Sequence, residues 1–276
     1  MIYKPHNPIW SLARREYPGL WKGVAFVAPF SQMIASGGAV LLDQFARPLN
    51  GSNLTAGSTM QWRGTPYGLG VGISGASLVF NQTSFEPIKT SDGAGTGDYA
   101  YVMLANPISE ARRSSAMSQN AASPRTELFF NCSDAGGSSA GGLTIVDSTT
   151  GTFPNVTGVI DGKYHMFGYS RRGTNRKIFV DGVEKYSASP AIADVYSGSG
   201  FFRIGGRTDT TDLINTATNI VFVAAWNRAL SAAEMQMLAR DPFIMMRPRR
   251  LVYKAPAAGG ADVRRKIIPA YMRISA

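Results

Sequence analysis

Short apolar or alternating runs, each bounded by turn-forming residues, are the feature of this sequence that most constrains its fold. Gly, Pro, Asn or Ser interrupts the chain between runs. Runs of about four to eight residues with this punctuation are typical of β-strands joined by turns. The runs are GVAFVAPF, GAVLLDQF, GASLVF, DYAYVML, RTELFF, GLTIV, KYHMFGYS, RKIFV, VEKYSA, FFRIGG and NIVFVAAW. They predict an all-β fold, a two-sheet antiparallel jelly-roll sandwich, rather than alternating strands and helices.

Composition supports an all-β fold with a substantial core. The chain has 276 residues, of which 44% are hydrophobic and only 17% are charged, and it contains 30 Gly. An average globular domain carries about 25% charged residues. The length fits one large sandwich. No segment repeats at a fixed period, so a solenoid or a propeller is not expected.

A two-residue hairpin is predicted at Asp181-Gly182, which separates the strand patterns KIFV and VEKY. Both central residues of a type I′ turn need a positive φ, and the Asp-Gly pair tolerates it. The sequence therefore predicts that these two strands lie side by side.

One short helix is predicted near the C-terminus, beginning after Ser231. Ser231 and Glu234 have the spacing of a capping box, in which each side chain bonds to the backbone amide of the other residue. We expect the helix to end near Arg240, because Asp241 precedes Pro242 and a residue before proline avoids helical angles.

A second helix is predicted at the N-terminus. Asn7 can cap it, Pro8 suits its first position, and Pro18-Gly19 is expected to end it. This helix belongs to a segment that precedes the first strand pattern.

The positive charge is confined to the two ends of the chain. The net charge is +10, with +3 in residues 1–22 and +7 in residues 247–276. Residues 23–246 hold 16 basic and 16 acidic side chains, so the body is neutral. A neutral body argues against a broad nucleic-acid-binding face. Clustered like charge is typical of a segment that meets an acidic partner.

These shifts divide the chain into an N-terminal basic segment (1–22), a sandwich (23–250) and a linker with a basic tail (251–276). The tail interleaves basic and apolar residues that cannot bury one another, so we expect it to anchor the chain to an assembly protein or a second copy. The anchoring residues are Arg264, Arg265, Lys266, Ile267, Ile268 and Tyr271. A solvated tail and a nucleic-acid-binding tail are the alternatives.

A single cysteine, Cys132, excludes an intramolecular disulfide and indicates folding in a reducing cytoplasm. The N-terminus lacks the continuous apolar stretch of a signal peptide. Residues 23–42 are apolar, but Pro29, Gln32 and Gly37-Gly38 interrupt them, so two strands are expected there rather than a membrane span. We therefore expect a soluble protein.

Four segments in the second half of the chain share the pattern of a known family. Residues 161–165 (DGKYH) and 178–182 (IFVDG) match its hairpin region, "DGxWH" followed by "YVDG". Residues 202–206 (FRIGG) match its next strand, and residues 220–234 match its closing strand and helix, "NRALSxxE". The chain thus resembles the laminin-G-like, concanavalin A-like lectin jelly rolls of the bacterial and phage-encoded type.

Looser matches upstream extend the resemblance to about residues 20–250. The resemblance implies two antiparallel sheets packed face to face. It implies no single function, because this fold serves lectins, adhesion modules, hydrolases and virion components alike.

Catalysis is not expected from these residues. Glycosidases on this fold need two carboxylates close together, usually delivered from one strand as Glu-x-Asp-x-x-Glu. None of the six Glu residues has that spacing. A nucleophilic triad would have to use His165, which we interpret as a packed structural residue. One Cys and two scattered His residues form no zinc site.

Residues 70–75 (GVGISG) match the dinucleotide-binding pattern GxGxxG. That motif needs a helix whose N-terminus points at the pyrophosphate, and here a strand pattern follows instead. We interpret the match as a glycine-rich strand.

Calcium is the one cofactor for which the sequence offers ligands, and the resemblance also implies it, since relatives often hold calcium in loops at the sandwich rim. Asp92, Asp98 and Asp134 lie in loops that can place carboxylate oxygens around an ion. The alternative is that these residues only shape turns.

Glycan binding needs exposed aromatic rings beside polar loop groups. Trp62, Tyr67, Tyr101 and Tyr196 are the candidates. The alternative for each of them is a place in the core, where most aromatic residues of a sandwich lie.

The leading hypothesis is a non-catalytic, virion-associated structural or accessory protein, such as a head decoration, fibre or tail component. It would fold in the host cytoplasm, dock on other virion proteins through its basic ends as an oligomer, and present the jelly roll to cell-surface glycans. The alternative is a stand-alone carbohydrate-binding lectin. A glycoside hydrolase is the third hypothesis, and the missing pair of carboxylates disfavours it.

Overall fold

The computed structural model describes residues 17–30, 59–74, 78–80, 98–108, 114–119, 126–130, 142–146, 155–189, 202–206, 214 and 217–246, which are called the described residues below. Their elements in chain order are α1 (Pro18–Trp21), β1 (Val24–Pro29), β2 (Thr59–Thr65), β3 (Gly68–Ser74), β4 (Leu78–Phe80), β5 (Tyr99–Ala105), β6 (Ser114–Gln119), β7 (Thr126–Phe130), β8 (Leu143–Val146), β9 (Asn155–Val156), β10 (His165–Arg172), β11 (Asn175–Val180), β12 (Val183–Ala188), β13 (Phe202–Ile204), β14 (Asn219–Trp226), α2 (Ala232–Arg240) and a 3-10 helix (Ile244–Met246).

The strands form two sheets. The larger one has eight strands in the order β12-β11-β10-β5-β14-β3-β2, and β1 also pairs with β14. The smaller one has six strands in the order β4-β13-β6-β7-β8-β9. All the described pairings are antiparallel. The predicted all-β sandwich is confirmed.

One apolar core, the inner core, lies between the two sheets. The larger sheet contributes Tyr101, Phe167 and Val223, and the smaller sheet contributes Leu128 and Phe130. Across the gap, the rings of Phe130 and Phe167 have centroids 5.2 Å apart. Side chains from both sheets therefore interdigitate, as in other face-to-face sandwiches.

A second apolar core, the outer core, covers the opposite face of the larger sheet. Val102, Phe179 and Trp226 pack there beneath Met235 and Leu238 of α2. Strands β5 and β14 are thus buried on both faces. This double burial explains why YAYVMLA and NIVFVAAW are largely apolar instead of alternating.

Residues 17–22, which the sequence placed in the N-terminal segment, pack against the outer core. Leu20 is buried, and its carbonyl accepts a hydrogen bond from Trp226 Nε1 at 2.7 Å. Trp21 Nε1 donates to the carbonyl of Met245 at 2.9 Å. These contacts join α1 to the closing strand and to the 3-10 helix.

The N-terminal helix was predicted to end at Pro18-Gly19; in the structure Pro18 begins the short helix α1, and Tyr17 before it is not helical. Proline is tolerated at a first helical position, since the amide hydrogen it lacks would find no partner inside the helix. The remainder of the predicted N-terminal helix lies outside the described residues.

The predicted hairpin at Asp181-Gly182 is confirmed. Asp181 has φ 52° and Gly182 has φ 77°, and β11 and β12 pair on either side of them. A Cβ atom on Gly182 would lie 2.8 Å from Cα of Gln236 in α2. Glycine is therefore needed here both for its φ angle and for the close approach of the helix.

The predicted C-terminal helix is also confirmed. Ser231 Oγ accepts a hydrogen bond from Glu234 N at 3.3 Å, and Glu234 Oε2 accepts one from Ser231 N at 2.8 Å. The helix ends at Arg240, as expected. Gly70 and Gly72 lie in β3, which confirms the interpretation of GVGISG as a strand. No helix among the described residues has the length and apolar character needed to cross a lipid bilayer.

Candidate functional site

The tip of the β2–β3 hairpin presents an aromatic ring to solvent. Thr65 pairs with Gly68 across a two-residue turn made by Pro66 and Tyr67. Thr65 Oγ1 donates to the carbonyl of Gly68 at 2.7 Å and accepts a hydrogen bond from Tyr67 N at 3.1 Å. The Thr65 side chain thus holds the turn, and Tyr67 is 40% exposed.

A second tyrosine supports the exposed ring. Tyr67 and Tyr164 meet edge to face, with centroids 5.5 Å apart and planes at 68°. Tyr164 is partly buried and packs against the outer core. Edge-to-face contact is a favoured aromatic geometry, so the buried ring holds the exposed ring in place.

Burial raises the pKa of the Tyr164 phenol above its ordinary value, and hydrogen bonds with the Asn219 and Thr65 side chains offset part of that rise. The phenol is therefore neutral at physiological pH. Its contact with Thr65 joins the hairpin tip to the segment that leads into β10.

A polar network flanks the two rings. Arg63 Nη1 donates to Asn219 Oδ1 at 3.4 Å, and Nη2 donates to Gln61 Oε1 at 2.5 Å. Asn219 N in turn donates to Asn106 Oδ1 at 2.6 Å. We call the cluster of Arg63, Thr65, Tyr67, Tyr164 and Asn219 the tyrosine rim.

The sheet order explains how these residues meet. Ala105, the last residue of β5, pairs with His165 at the start of β10 and with Ile220 at the start of β14. Tyr164 and Asn219 therefore lie at the same end of the sheet. The β2–β3 hairpin reaches that end because β3 pairs with the first residues of β14.

A charged cluster next to Tyr164 fixes the same end of the sheet. His165 Nδ1 lies 2.7 Å from Asp181 Oδ2, and His165 Nε2 lies 3.1 Å from Asp161 Oδ1. Met166 N donates to Asp181 Oδ1 at 2.9 Å. We call Asp161, His165 and Asp181 the histidine clasp, because it ties the segment that carries Tyr164 to the β11–β12 turn.

The Asp161 carboxylate is ionised unusually easily. A hydrogen bond donated by Lys163 N, at 2.9 Å, is the main cause that lowers its pKa to about 2. The Lys163 ammonium, 3.0 Å away, and His165 lower the pKa further, while burial opposes them. The clasp is thus an electrostatic support for the loop before β10.

Of the four aromatic residues predicted for glycan binding, three lie among the described residues and one of these is exposed to solvent. Tyr67 is exposed, whereas Trp62 is only partly exposed and packs against the inner core. Tyr101 contradicts the prediction: it is 1% exposed, and its ring stacks on Tyr169 with centroids 5.2 Å apart. It points inward because it lies on the inner face of β5, where no ligand reaches it. Tyr196 lies outside the described residues.

Sequence reasoning missed Tyr164, Arg63 and Asn219. Tyr164 lies in the DGKYH segment, at the aromatic position of the family pattern, and that was the signal available for it. Arg63 and Asn219 lie in different strands that are far apart in the chain, so no local pattern links them.

Of the three predicted calcium ligands, the structure describes only Asp98. Asp98 is exposed, and its Oδ1 accepts a hydrogen bond from Gly173 N at 2.9 Å. Asp92 and Asp134 lie outside the described residues. Within the described ranges, no three His, Cys, Asp or Glu side chains form a group able to hold a metal ion. Calcium binding stays a prediction.

The predicted anchor lies entirely outside the described residues, which end at Met246. The predicted anchoring residues outside the described part of the chain are Arg264, Arg265, Lys266, Ile267, Ile268 and Tyr271. Their role in docking stays a prediction.

No protein-family model and no curated protein sequence matches the chain. Solved structures do share its fold. Trypanosoma rangeli sialidase in complex with sialic acid superposes with a TM-score of 0.54 and 12% identity, over 81% of this chain and 33% of the sialidase chain. This chain therefore spans about a third of the length of that enzyme.

Two isolated domains are similar as well. Domain 4 of AbnA, a GH43 extracellular arabinanase from Geobacillus stearothermophilus, in complex with arabinotriose, has a TM-score of 0.52 and 13% identity, over 78% of this chain and 98% of that domain. The binding domain of Paraclostridial Mosquitocidal Protein 1 has a TM-score of 0.52 and 10% identity, over 81% of this chain and 53% of its own. Identities this low show a shared β-sandwich fold, and the laminin-G-like assignment stays a prediction.

Proposed function

We propose that this chain is a non-catalytic carbohydrate-binding β-sandwich that contacts its ligand through the tyrosine rim. The observation that carries the proposal is the exposed ring of Tyr67, held edge to face by the partly buried Tyr164. A sugar presents C–H groups on its faces and hydroxyls at its edge. The rim offers an aromatic ring for the former, and the Arg63 and Asn219 side chains for the latter.

The rim is held in place before any ligand arrives. Tyr67 N is bonded to Thr65, Arg63 is bonded to Asn219 and Gln61, and Tyr164 is packed on the outer core. Tyrosine has few rotatable bonds, so ordering it costs little conformational entropy. A pre-organised site of this kind leaves more of the contact energy for binding.

We infer that the rim is non-catalytic because the acidic groups near it are engaged in structural bonds. Asp181 Oδ1 accepts a hydrogen bond from Met166 N, and its Oδ2 lies 2.7 Å from His165 Nδ1. Asp161 contacts Lys163 and His165. A pKa of about 2 leaves Asp161 ionised at neutral pH, where it holds no proton to donate as a general acid.

The experiment compares Tyr67→Ala with the unaltered chain on an immobilised glycan panel that includes arabinotriose, the ligand of the similar AbnA domain. We expect Tyr67→Ala to weaken binding about tenfold, equivalent to about 1.4 kcal/mol. Its melting temperature should not change, because Tyr67 is exposed. Leu69→Ala is the matched control, since it removes another exposed apolar side chain from the same hairpin. Binding that is equal in Tyr67→Ala and the unaltered chain contradicts the rim, and absence of binding to every glycan contradicts the function.

The setting we propose for this activity is a virion-associated accessory protein, a head decoration, fibre or tail component, with the basic tail as its anchor. The support is the charge distribution, +7 in residues 247–276 against a neutral body. A stand-alone lectin is the alternative. Truncation after Lys254 separates them: an anchor predicts an unchanged melting temperature and a loss of salt-sensitive assembly. Normal assembly by the truncated chain contradicts the anchor.

A further inference from the structure

A cleft of about 240 Å³ lies at the opposite end of β10 from the tyrosine rim. The β10–β11 hairpin forms one side, and the segment that leads into α2 forms the other. Tyr164 and the cleft residue Arg172 are separated by the whole of β10, roughly 25 Å at about 3.3 Å per residue. The polar groups that border the cleft belong to Ser170, Arg172, Asn175, Lys177 and Ser231.

Three of these groups already have partners. Ser170 Oγ donates to the carbonyl of Leu230 at 2.7 Å and accepts a hydrogen bond from Leu230 N at 2.9 Å. Lys177 Nζ lies 2.8 Å from Glu184 Oε2, and Ser231 is occupied in the capping box with Glu234. These contacts shape the cleft walls.

The side chains of Arg172 and Asn175 differ, because neither makes a hydrogen bond or an ion pair with any of the described residues. The nearby carboxylates of Glu184 and Glu234 are neutralised by Lys177 and by Arg228. Arg172 is thus the cation lining the cleft that forms no ion pair with the described residues; the exposed carboxylate of Asp98, which accepts a hydrogen bond from Gly173 N, is the acidic group beside it. The first residue of α2, Ala232, also lines it, and the N-terminus of a helix adds partial positive charge.

We propose that this cleft binds the carboxylate of an acidic sugar residue, a uronic or sialic acid, with Arg172 as its principal ligand. The inference rests on the proposed carbohydrate-binding function. A guanidinium pairs with a planar carboxylate through two parallel hydrogen bonds, and the Asn175 amide is placed to meet a sugar hydroxyl. A volume just below the usual range of about 300–1,000 Å³ for small-molecule pockets suits one sugar ring rather than a chain of them.

The test titrates the full chain with sodium glucuronate and follows backbone amide chemical shifts by NMR. Glucose is the neutral match for the sugar, and sodium sulfate is the match for an anion without a ring. We expect saturable binding of glucuronate at the cleft, at least tenfold weaker binding of glucose and sulfate, and weaker glucuronate binding as sodium chloride is raised.

Two variants remove one positive charge each: one beside the start of α2, in the cleft, and one at the end of α2, away from the cleft. Arg172→Gln should weaken glucuronate binding at least tenfold. Arg240→Gln, at the exposed far end of the helix, should leave it within twofold. Both side chains are exposed, so both variants should keep the melting temperature of the unaltered chain.

Each remaining outcome overturns the proposal or a stated part of it. If glucose binds as tightly as glucuronate, the site does not recognise the carboxylate. Sulfate binding as tight, with the same dependence on Arg172, shows a general anion site. If the Arg172→Gln variant binds glucuronate as tightly as the unaltered chain, the cleft is not the binding site. Tyr67→Ala should leave glucuronate binding intact, so failure at the tyrosine rim and failure at the cleft are distinguished.

Discussion

The two faces of the eight-stranded sheet are covered in different ways. The inner face meets a second, six-stranded sheet, whose apolar side chains close its core. The outer face is closed by three short pieces, α1, α2 and the 3-10 helix, which come from opposite ends of the described chain. Both cores contain fully buried aromatic residues, such as Phe130 in the inner core and Trp226 in the outer core.

This difference in cover implies a difference in what stabilises each face. The inner core depends on packing of apolar side chains between two extended surfaces. The outer cover is too short to be stable alone, and polar clamps hold its pieces to one another and to the sheet. Trp226 in β14 bonds to Leu20, Trp21 bonds to Met245 in the 3-10 helix, and Arg228 bonds to α1. We therefore expect cavities to be most damaging on the inner face and lost hydrogen bonds on the outer face.

The largest effect should come from a cavity in the inner core. Phe130→Ala removes a ring that is fully buried and contacts Phe167, and we expect it to lower the free energy of unfolding by about 3–5 kcal/mol. Urea denaturation followed by fluorescence measures the loss. Phe130→Leu, which keeps most of the volume, should cost clearly less, and equal losses in the two variants would show that packing does not set the stability of this face.

A smaller effect is expected from removal of the central clamp on the outer face. Arg228 Nη2 donates to the carbonyl of Gly19 at 2.6 Å and to Glu234 Oε1 at 2.7 Å, and Nε donates to the carbonyl of Lys22 at 2.7 Å. Arg228→Ala should lower the free energy of unfolding by about 2 kcal/mol, because several charge-assisted bonds are lost together.

The Arg228→Ala loss should also be local. Amide hydrogen exchange should speed up in α1 and α2 while β5 and β14 keep their protection, since separate units open independently. Arg240→Ala, at an exposed position of α2, is the matched control and should change exchange little. Uniformly faster exchange throughout both sheets would mean that the outer cover and the sandwich unfold as one unit.

The third effect concerns the start of α2. Ser231→Ala removes the side-chain cap of Glu234 N and should lower the free energy of unfolding by about 1 kcal/mol, as seen for helix caps in general. Ser231→Asp, which supplies another capping oxygen, should restore most of the loss in thermal melts. No change in Ser231→Ala would mean that Arg228, rather than the cap, positions the helix start.

Features set by neighbouring residues were predictable from the sequence. The Asp181-Gly182 turn and the Ser231–Glu234 capping box each require only residues within four positions of one another. The strand runs predicted the sandwich, because apolar runs between turn residues have few other uses in a chain of this length.

Features set by which face a side chain takes were not predictable. Arg171 and Arg172 are adjacent residues of the same type, yet Arg171 is fully buried and Arg172 is exposed and lines the cleft between the β10–β11 hairpin and the start of α2. Tyr101 failed as a candidate ligand for the same reason, since alternation along β5 sends it inward. The sequence predicted Tyr67 but not its grouping with Tyr164, Arg63 and Asn219, because the pairing order of β3, β14, β5 and β10 brings these residues together.

The smallest effect should come from the histidine clasp, and it should depend on pH. Asp161→Asn removes a carboxylate whose pKa is lowered from 3.8 to about 2, chiefly by the hydrogen bond from Lys163 N. A pKa that is lower in the folded state means that the ionised carboxylate stabilises the fold above the ordinary pKa. That contribution is lost as the pH falls from about 4 towards 2. Because the side chain is one-third exposed and screened by solvent, we expect a loss of about 1 kcal/mol or less at pH 7.

Urea denaturation of the Asp161→Asn variant and the unaltered chain, at several pH values between 2 and 7, measures this contribution. The difference in free energy of unfolding should be constant above about pH 4 and shrink towards zero near pH 2. Glu184→Gln is the matched control, because it removes a carboxylate from a surface ion pair with Lys177 and should change stability by less than about 0.5 kcal/mol. A difference for Asp161→Asn that stays constant down to pH 2 would contradict the role of its charge. It would leave the shape of the loop before β10, rather than electrostatics, as the reason that Tyr164 is held beneath Tyr67.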